Sequence, residues 1–149
     1  MKRVMLPAFL ALSCCGPKPA GKVVYGPHCG ICHHGGGGMP GEIPPLVGRL
    51  DLIASTPEGR HYLVDVILDG LRGPFVTQGY RYDFSMPPFR RLLDDQQVAD
   101  VLNWLIERGD SRPAPRITPQ EVARARAQPG HPAATYHERQ ILDGKYPLP

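Results

Sequence analysis

The chain has 149 residues, a length that suits one compact domain with extensions and leaves little room for two full domains. Eighteen prolines and seventeen glycines cut it into short segments and argue against a large sheet, while the formal charge of +3 at pH 7 falls to about +1 once Lys2 and Arg3 are set aside, too near neutral to favour nucleic acid as a partner. No internal repeat is visible, and no stretch after residue 20 approaches the roughly 18 apolar residues that cross a bilayer, so any membrane contact must come from the beginning of the chain.

That beginning has the pattern of an export signal over residues 1–14: Met1-Lys2-Arg3 is positive, Val4 to Leu12 is a short apolar core, and Ser13-Cys14-Cys15 follows. The Leu-Ala-Leu-Ser-Cys-Cys run resembles the lipobox of bacterial lipoproteins. The resemblance implies that Cys14, preceded by the small Ser13, receives lipid after cleavage. Ordinary cleavage after Ser13, which Ala11-Leu12-Ser13 also allows, is the alternative. A lipidated cysteine carries several acyl chains, enough for stable anchoring, and residues 15–20 would then be a tether. The expected address is the periplasmic side of a bacterial membrane, lipid-anchored or soluble. Loss of Lys2 and Arg3 leaves fifteen basic against fourteen acidic residues, a balance that gives no strong hint about the charge of a partner.

A short first helix is predicted from Ala20 to Tyr25, ended by Gly26-Pro27. Next comes Cys29-Gly30-Ile31-Cys32-His33, a Cys-x-x-Cys-His string. Two thiols at this spacing can add to the two vinyl groups of one haem, which places the adjacent His33 under the iron as an axial ligand. Three other readings compete. Zinc wants a second ligand pair at similar spacing, and the other two cysteines are adjacent in the leader. A thioredoxin-like dithiol wants a strand-helix-strand setting, whereas the flanks here are Gly26-Pro27 and the run Gly35 to Gly38. A Cys29–Cys32 disulfide suits an oxidising compartment but gives His33 no role. Haem attachment uses all three residues.

Ser55-Thr56-Pro57-Glu58 has the form of a capping box with proline in the first turn, and Leu63, Val66 and Ile67 follow at helical spacing before Gly70, which predicts a helix over Pro57 to Asp69. Further on, Met86 in Phe84-Ser85-Met86-Pro87-Pro88-Phe89 is the candidate second axial ligand. A thioether raises the reduction potential relative to a second imidazole, and the two prolines restrict the segment's freedom to swing away. The competing account makes Met86 a filler of an apolar gap. Met39 lies in the glycine loop close after His33, and His28, His34, His61, His131 or His137 could in principle replace Met86.

Asp94, with Gln97 three residues later, opens a closing helix whose Val98, Val101, Leu102 and Leu105 share one face until Gly109. Beyond it, residues 110–149 form a proline-rich appendage in which Thr118-Pro119-Gln120-Glu121 predicts a short helix from Pro119 to Ala127, anchored by Val122. Poor in large apolar residues, this tail is expected to lie loosely on the domain or to wait for a partner, with Tyr136 and Tyr146 as candidate anchors. The fold class is all-α, with three or four short helices and long loops.

Over residues 21–109 the chain resembles a class I, mono-haem bacterial cytochrome c. In that family a glycine and an aromatic precede the first haem cysteine by eight and four positions, where Gly21 and Tyr25 stand before Cys29. Gly35 to Gly38 followed by Pro44-Pro45-Leu46-Val47-Gly48 mirrors the family's glycine-rich stretch with its proline and leucine, and Trp104 mirrors the aromatic of the C-terminal helix. The resemblance implies the cytochrome c fold around one covalent haem c. It implies too that the Pro44 carbonyl, or less favourably that of Pro45, orients the ring of His33.

The expected function is electron transfer without catalysis: haem joined to Cys29 and Cys32, iron held by His33 and Met86, and redox proteins such as a respiratory complex, dehydrogenase, oxidase or reductase as partners. Two alternatives are a haem subunit of a dehydrogenase or oxidase complex, with the tail as docking arm, and a peroxidase-like haem enzyme if Met86 is not a ligand.

Overall fold

The computed structural model describes residues 16–149, so the export signal and Cys14 lie outside the described residues. Among the described residues are seven helices: α1 Ala20–His28, α2 Gly30–His33, α3 Leu50–Ile53, α4 Pro57–Asp69, α5 Asp95–Ile106, α6 Pro119–Arg126 and α7 Pro132–Lys145. A two-stranded antiparallel hairpin, β1 Phe75–Thr77 and β2 Tyr80–Tyr82, lies between α4 and α5. The architecture is all-α with little strand. The count exceeds three or four because α2 and α3 are single turns and because α7 carries only a weak apolar pattern.

Local signals set most helix boundaries. Thr56 Oγ1 accepts from the Gly59 amide at 3.0 Å and Pro57 occupies the first turn of α4. The cap is thus Thr56; Ser55 instead donates back to the Leu52 carbonyl at 2.6 Å. At α5 the capping box is complete, Asp94 Oδ1 accepting from the Gln97 amide at 2.8 Å and Gln97 Oε1 from the Asp94 amide at 3.0 Å. The first helix does not stop at Gly26-Pro27 but runs through Pro27 to His28. Pro27 sits on the exposed side of the last turn, where one lost backbone hydrogen bond costs least, and packing of the rest of α1 outweighs that loss.

That packing is the crossing of α1 on α5. Gly21 meets α5 so closely that a Cβ there would overlap the Asp100 carbonyl oxygen and Trp104 Cβ. One turn on, the Tyr25 and Trp104 rings pack with centroids 4.9 Å apart at 51°. Leu63, Val64, Ile67 and Leu68 of α4 and Val98, Val101, Leu102 and Ile106 of α5 complete the centre of the core.

The C-terminal segment does not lie loosely, contrary to expectation. Ile117, Val122, Ala125 and Leu142 join the same core, with Val122 0 % exposed, and α6 packs on α4 and α5 while α7 packs on α4. Burial of a side chain the size of valine stabilises by about 1.5–3 kcal/mol. Polar pins add direction. The buried Asn103 amide donates to the Ile117 carbonyl and accepts from the Ile117 amide, both at 2.8 Å. Buried Asp51 accepts from the Ser111 hydroxyl at 2.7 Å and from the Asp110 and Ser111 amides. Arg90 grips buried Asp69 with two bonds of 2.7 and 2.8 Å and donates to the Arg126 carbonyl at 2.7 Å. Of the two tyrosines, Tyr136 donates to the Pro74 carbonyl at 2.7 Å and its ring covers Gly73, whereas Tyr146 is exposed under Lys145.

The Gly21 contact can be tested. Gly21→Ala should destabilise the protein by about 1–3 kcal/mol in chemical denaturation through overpacking. Gly26→Ala, one turn away with nothing within 4 Å of its added methyl, should be neutral or slightly stabilising. Equal effects at the two positions would contradict the close crossing.

Candidate haem site

Helix α1 ends at His28 with Cys29 as its C-cap, and the single turn α2 sends Cys32 to the surface and His33, 8 % exposed, to the interior. The Tyr25 hydroxyl donates to the His34 carbonyl at 2.5 Å and ties this turn to α1. The glycine run then reverses the chain beneath His33, the Gly36 and Gly38 amides donating to the His33 carbonyl at 2.9 and 3.2 Å. Gly38 has φ +64° and a side chain there would strike the Ile43 and Pro44 backbone, so this tight approach needs glycine.

The reversal brings the Pro44 carbonyl oxygen to 3.1 Å from His33 Nδ1. A carbonyl can only accept, so the proton sits on Nδ1 and Nε2 keeps its lone pair. Burial pushes the His33 pKa down; the Pro44 bond opposes this, and the charges of Arg49 and His34 reinforce it. The ring is therefore neutral near pH 7, the form that binds a metal. Cys29 and Cys32 are free thiols, and burial, followed by the neighbouring Cys32, pushes the Cys29 thiol up to about 11.

Met86 lies on a segment strapped across the end of α4. It exchanges backbone bonds of 2.9 and 3.1 Å with Leu71, and the Phe89 and Arg90 amides donate to Ile67 and Leu68 at 2.8 and 3.1 Å. Gly70, φ +78°, lets the strap approach: an added Cβ would overlap the Met86 carbonyl and press on Pro87.

Between these elements lies an open cleft, with about 790 Å³ of empty space counting its mouth. Its walls are mostly apolar, with Leu46, Leu50, Ile53, Leu63, Val66 and Phe75 among them. Cys32, His33, Pro44 and Met86 all line it, and among the described residues they are accompanied by no other histidine or methionine. An apolar slot with one neutral imidazole, one thioether and a thiol fits a tetrapyrrole. Zinc is less well served, because the convergent set of metal-type donors among the described residues is His61, Asp65 and Glu138, on α4 and α7.

Sequence reasoning did not find the hairpin or the two buried arginines of the cleft, Arg49 and Arg139. The hairpin had a short-range signal: Gln78 and Gly79, at φ +50° and +79°, make its two-residue turn between Phe-Val-Thr and Tyr-Arg-Tyr. Through it Phe75 and Tyr82 reach the cleft. The arginines had no local signal, since each is placed by tertiary packing.

Residues 16–105 match the family described as cytochrome c oxidase, cbb3-type, subunit III. The chain is 35% identical over 148 residues to a "Cytochrome c-552" of Thermus thermophilus, an alignment covering 95% of this chain and 98% of that one. It is 30% identical over 122 residues to the cytochrome c subunit of a quinone alcohol dehydrogenase from Gluconobacter oxydans, covering 80% of this chain and 24% of that protein. With a family match over more than half its length and a relative aligned almost end to end, the chain belongs to the cytochrome c family, which implies haem c.

Proposed function

We propose that this protein is an electron carrier with one haem c joined by thioethers to Cys29 and Cys32 and held on iron by His33 Nε2 and Met86 Sδ. The observation that carries this reading is that His33, its other nitrogen engaged by Pro44, and Met86, held by the Leu71 bridge and two prolines, line one apolar cleft beside Cys32. When bound, haem supplies reversible ferrous–ferric exchange. The chain's part is to hold both axial positions with little freedom of movement. A filled sixth position leaves small oxidants no open site, so the reading is transfer without catalysis. Apolar walls and a thioether together favour the reduced form and raise the potential.

A second reading makes the chain the haem subunit of a larger redox assembly. Two observations favour it: the matching family is named for an oxidase subunit, and some relatives are cytochrome c subunits of a quinone alcohol dehydrogenase. In either setting the partner is a redox protein. The exported, membrane-bound address rests on the leader and Cys14; no helix of the described residues is long and apolar enough to cross a membrane.

Replacing Met86 by Ala should convert the ferric protein from low-spin to high-spin and lower its reduction potential, with haem still covalently attached. An unchanged low-spin spectrum and potential would remove Met86 from the iron. For the anchor, Cys14→Ser should release the protein from membranes into the soluble periplasmic fraction. Equal membrane retention of wild type and variant would remove lipid on Cys14 from the account.

A further inference from the structure

Arg139 of α7 is 2 % exposed and lines the cleft, yet its Nε and Nη2 have no hydrogen-bond partner among the described residues. Its other terminal nitrogen makes a long contact of 3.4 Å with the Tyr62 hydroxyl, and its Cζ lies over the Phe75 ring, 4.1 Å from the centroid. Nε and Nη2 lie on one edge of the guanidinium, with parallel N–H bonds that match the two oxygens of a carboxylate.

The need for an anion is reinforced by a second buried cation. Arg49, 4 % exposed, lines the same cleft, and burial together with the charge of Arg139 pushes its pKa down to about 10. Arg49 has partners, donating to a main-chain oxygen of Pro149 at 2.8 Å and to the Pro45 carbonyl oxygen at 2.7 Å. Neither arginine enters a side-chain ion pair with Asp or Glu among the described residues. The other ionisable groups around them include His33 on α2, Tyr62 on α4, Tyr82 on β2, Glu42 on the exposed rim of the cleft, Glu138 on α7, which is engaged with His61 at 3.2 Å, and Asp143 on α7, which accepts from the Leu148 amide at 2.7 Å. A buried guanidinium with an unused donor edge is costly unless an anion joins it.

We propose that Arg139 holds a carboxylate side chain of the tetrapyrrole, so that the C-terminal helix is fastened to the cofactor itself. This rests on the haem reading above and extends it to a residue outside the motif-bearing segment. It gives α7 a function: the helix that packs on α4 and seats Tyr136 over Gly73 brings a fixed positive charge to the cofactor. Arg139 acts on the carboxylate, and through it on the potential, without touching iron.

The test uses the haem-loaded wild type with Arg139→Gln and Arg139→Lys, comparing the carboxylate titration of isotopically labelled haem with the pH dependence of the reduction potential. In Arg139→Gln the pKa of one haem carboxylate should rise by about one to three units, the opposite of the lowering that a nearby cation causes. The pH-dependent step of the potential should move up with it, the potential above that step should fall, and the low-spin spectrum should persist. Arg139→Lys, which keeps the charge, should stay closer to the wild type in titration.

An Arg139→Gln protein with wild-type titration and potential overturns the proposal, even if its stability is lower. Should Arg139→Gln fail to fold, the wild type alone decides: one haem carboxylate ionised below the ordinary carboxylate range supports the proposal, and both titrating within that range overturns it. A wild-type potential that follows added acetate or phosphate at constant ionic strength assigns the anion to solution and also overturns it. A wild type that takes up no haem defeats the haem reading and this one together, an outcome distinct from the others because the protein is colourless.

Discussion

The bond between the buried His33 ring and the Pro44 carbonyl constrains the proposed site more than any other contact. It chooses the tautomer, leaves one nitrogen with a free lone pair and fixes the ring's plane. Much of the neighbouring sequence serves it. Tyr25 ties the Cys-x-x-Cys-His turn to α1, the glycines fold the chain back beneath His33, and Gly38 permits the close approach that delivers Pro44. Burial keeps the ring neutral. The opposite wall depends on α4, whose glycine end allows the Met86 strap to approach.

The C-terminal residues change how the molecule should be regarded. Four apolar residues of this segment enter the core, and Asn103, Asp51 and Arg90, itself paired with Asp69, bind its backbone and the Ser111 hydroxyl to the preceding elements. Helix α7 then closes one side of the cleft with Arg139. An element that reads as an appendage by composition is packed against α4, the helix that carries the cleft's apolar wall. Of its arginines, Arg126 donates to the Leu93 carbonyl and to Asp95 and Arg112 donates to the Gly109 carbonyl, whereas the buried Arg139 has two donors without a partner among the described residues.

Where the sequence was readable, the signal was local. Asp94 with Gln97, Thr118 with Glu121, and proline after Thr56 announce helix starts through bonds made within one turn. Cys29 to His33 can be read for the same reason, because its chemistry depends on spacing along a single segment. Where the sequence misled, distant partners decided the outcome. Pro27 should break α1, but Gly21 and Tyr25 gain enough against α5 to carry the helix past it. The tail reads as polar because Arg126 and Arg139 count as surface residues until their partners or cleft position are known. Helix α7 has only Ile141 and Leu142 as large aliphatic residues, too few to show a period, although His131 followed by Pro132 marks its start.

Covalent attachment of haem is the claim on which the rest depends, and the denatured mass of mature protein from a host that attaches haem c tests it most directly. The account predicts the polypeptide plus one haem, with that increment lost when Cys29 and Cys32 are both replaced by alanine. A mass equal to the polypeptide alone, with both thiols open to alkylation, would contradict it.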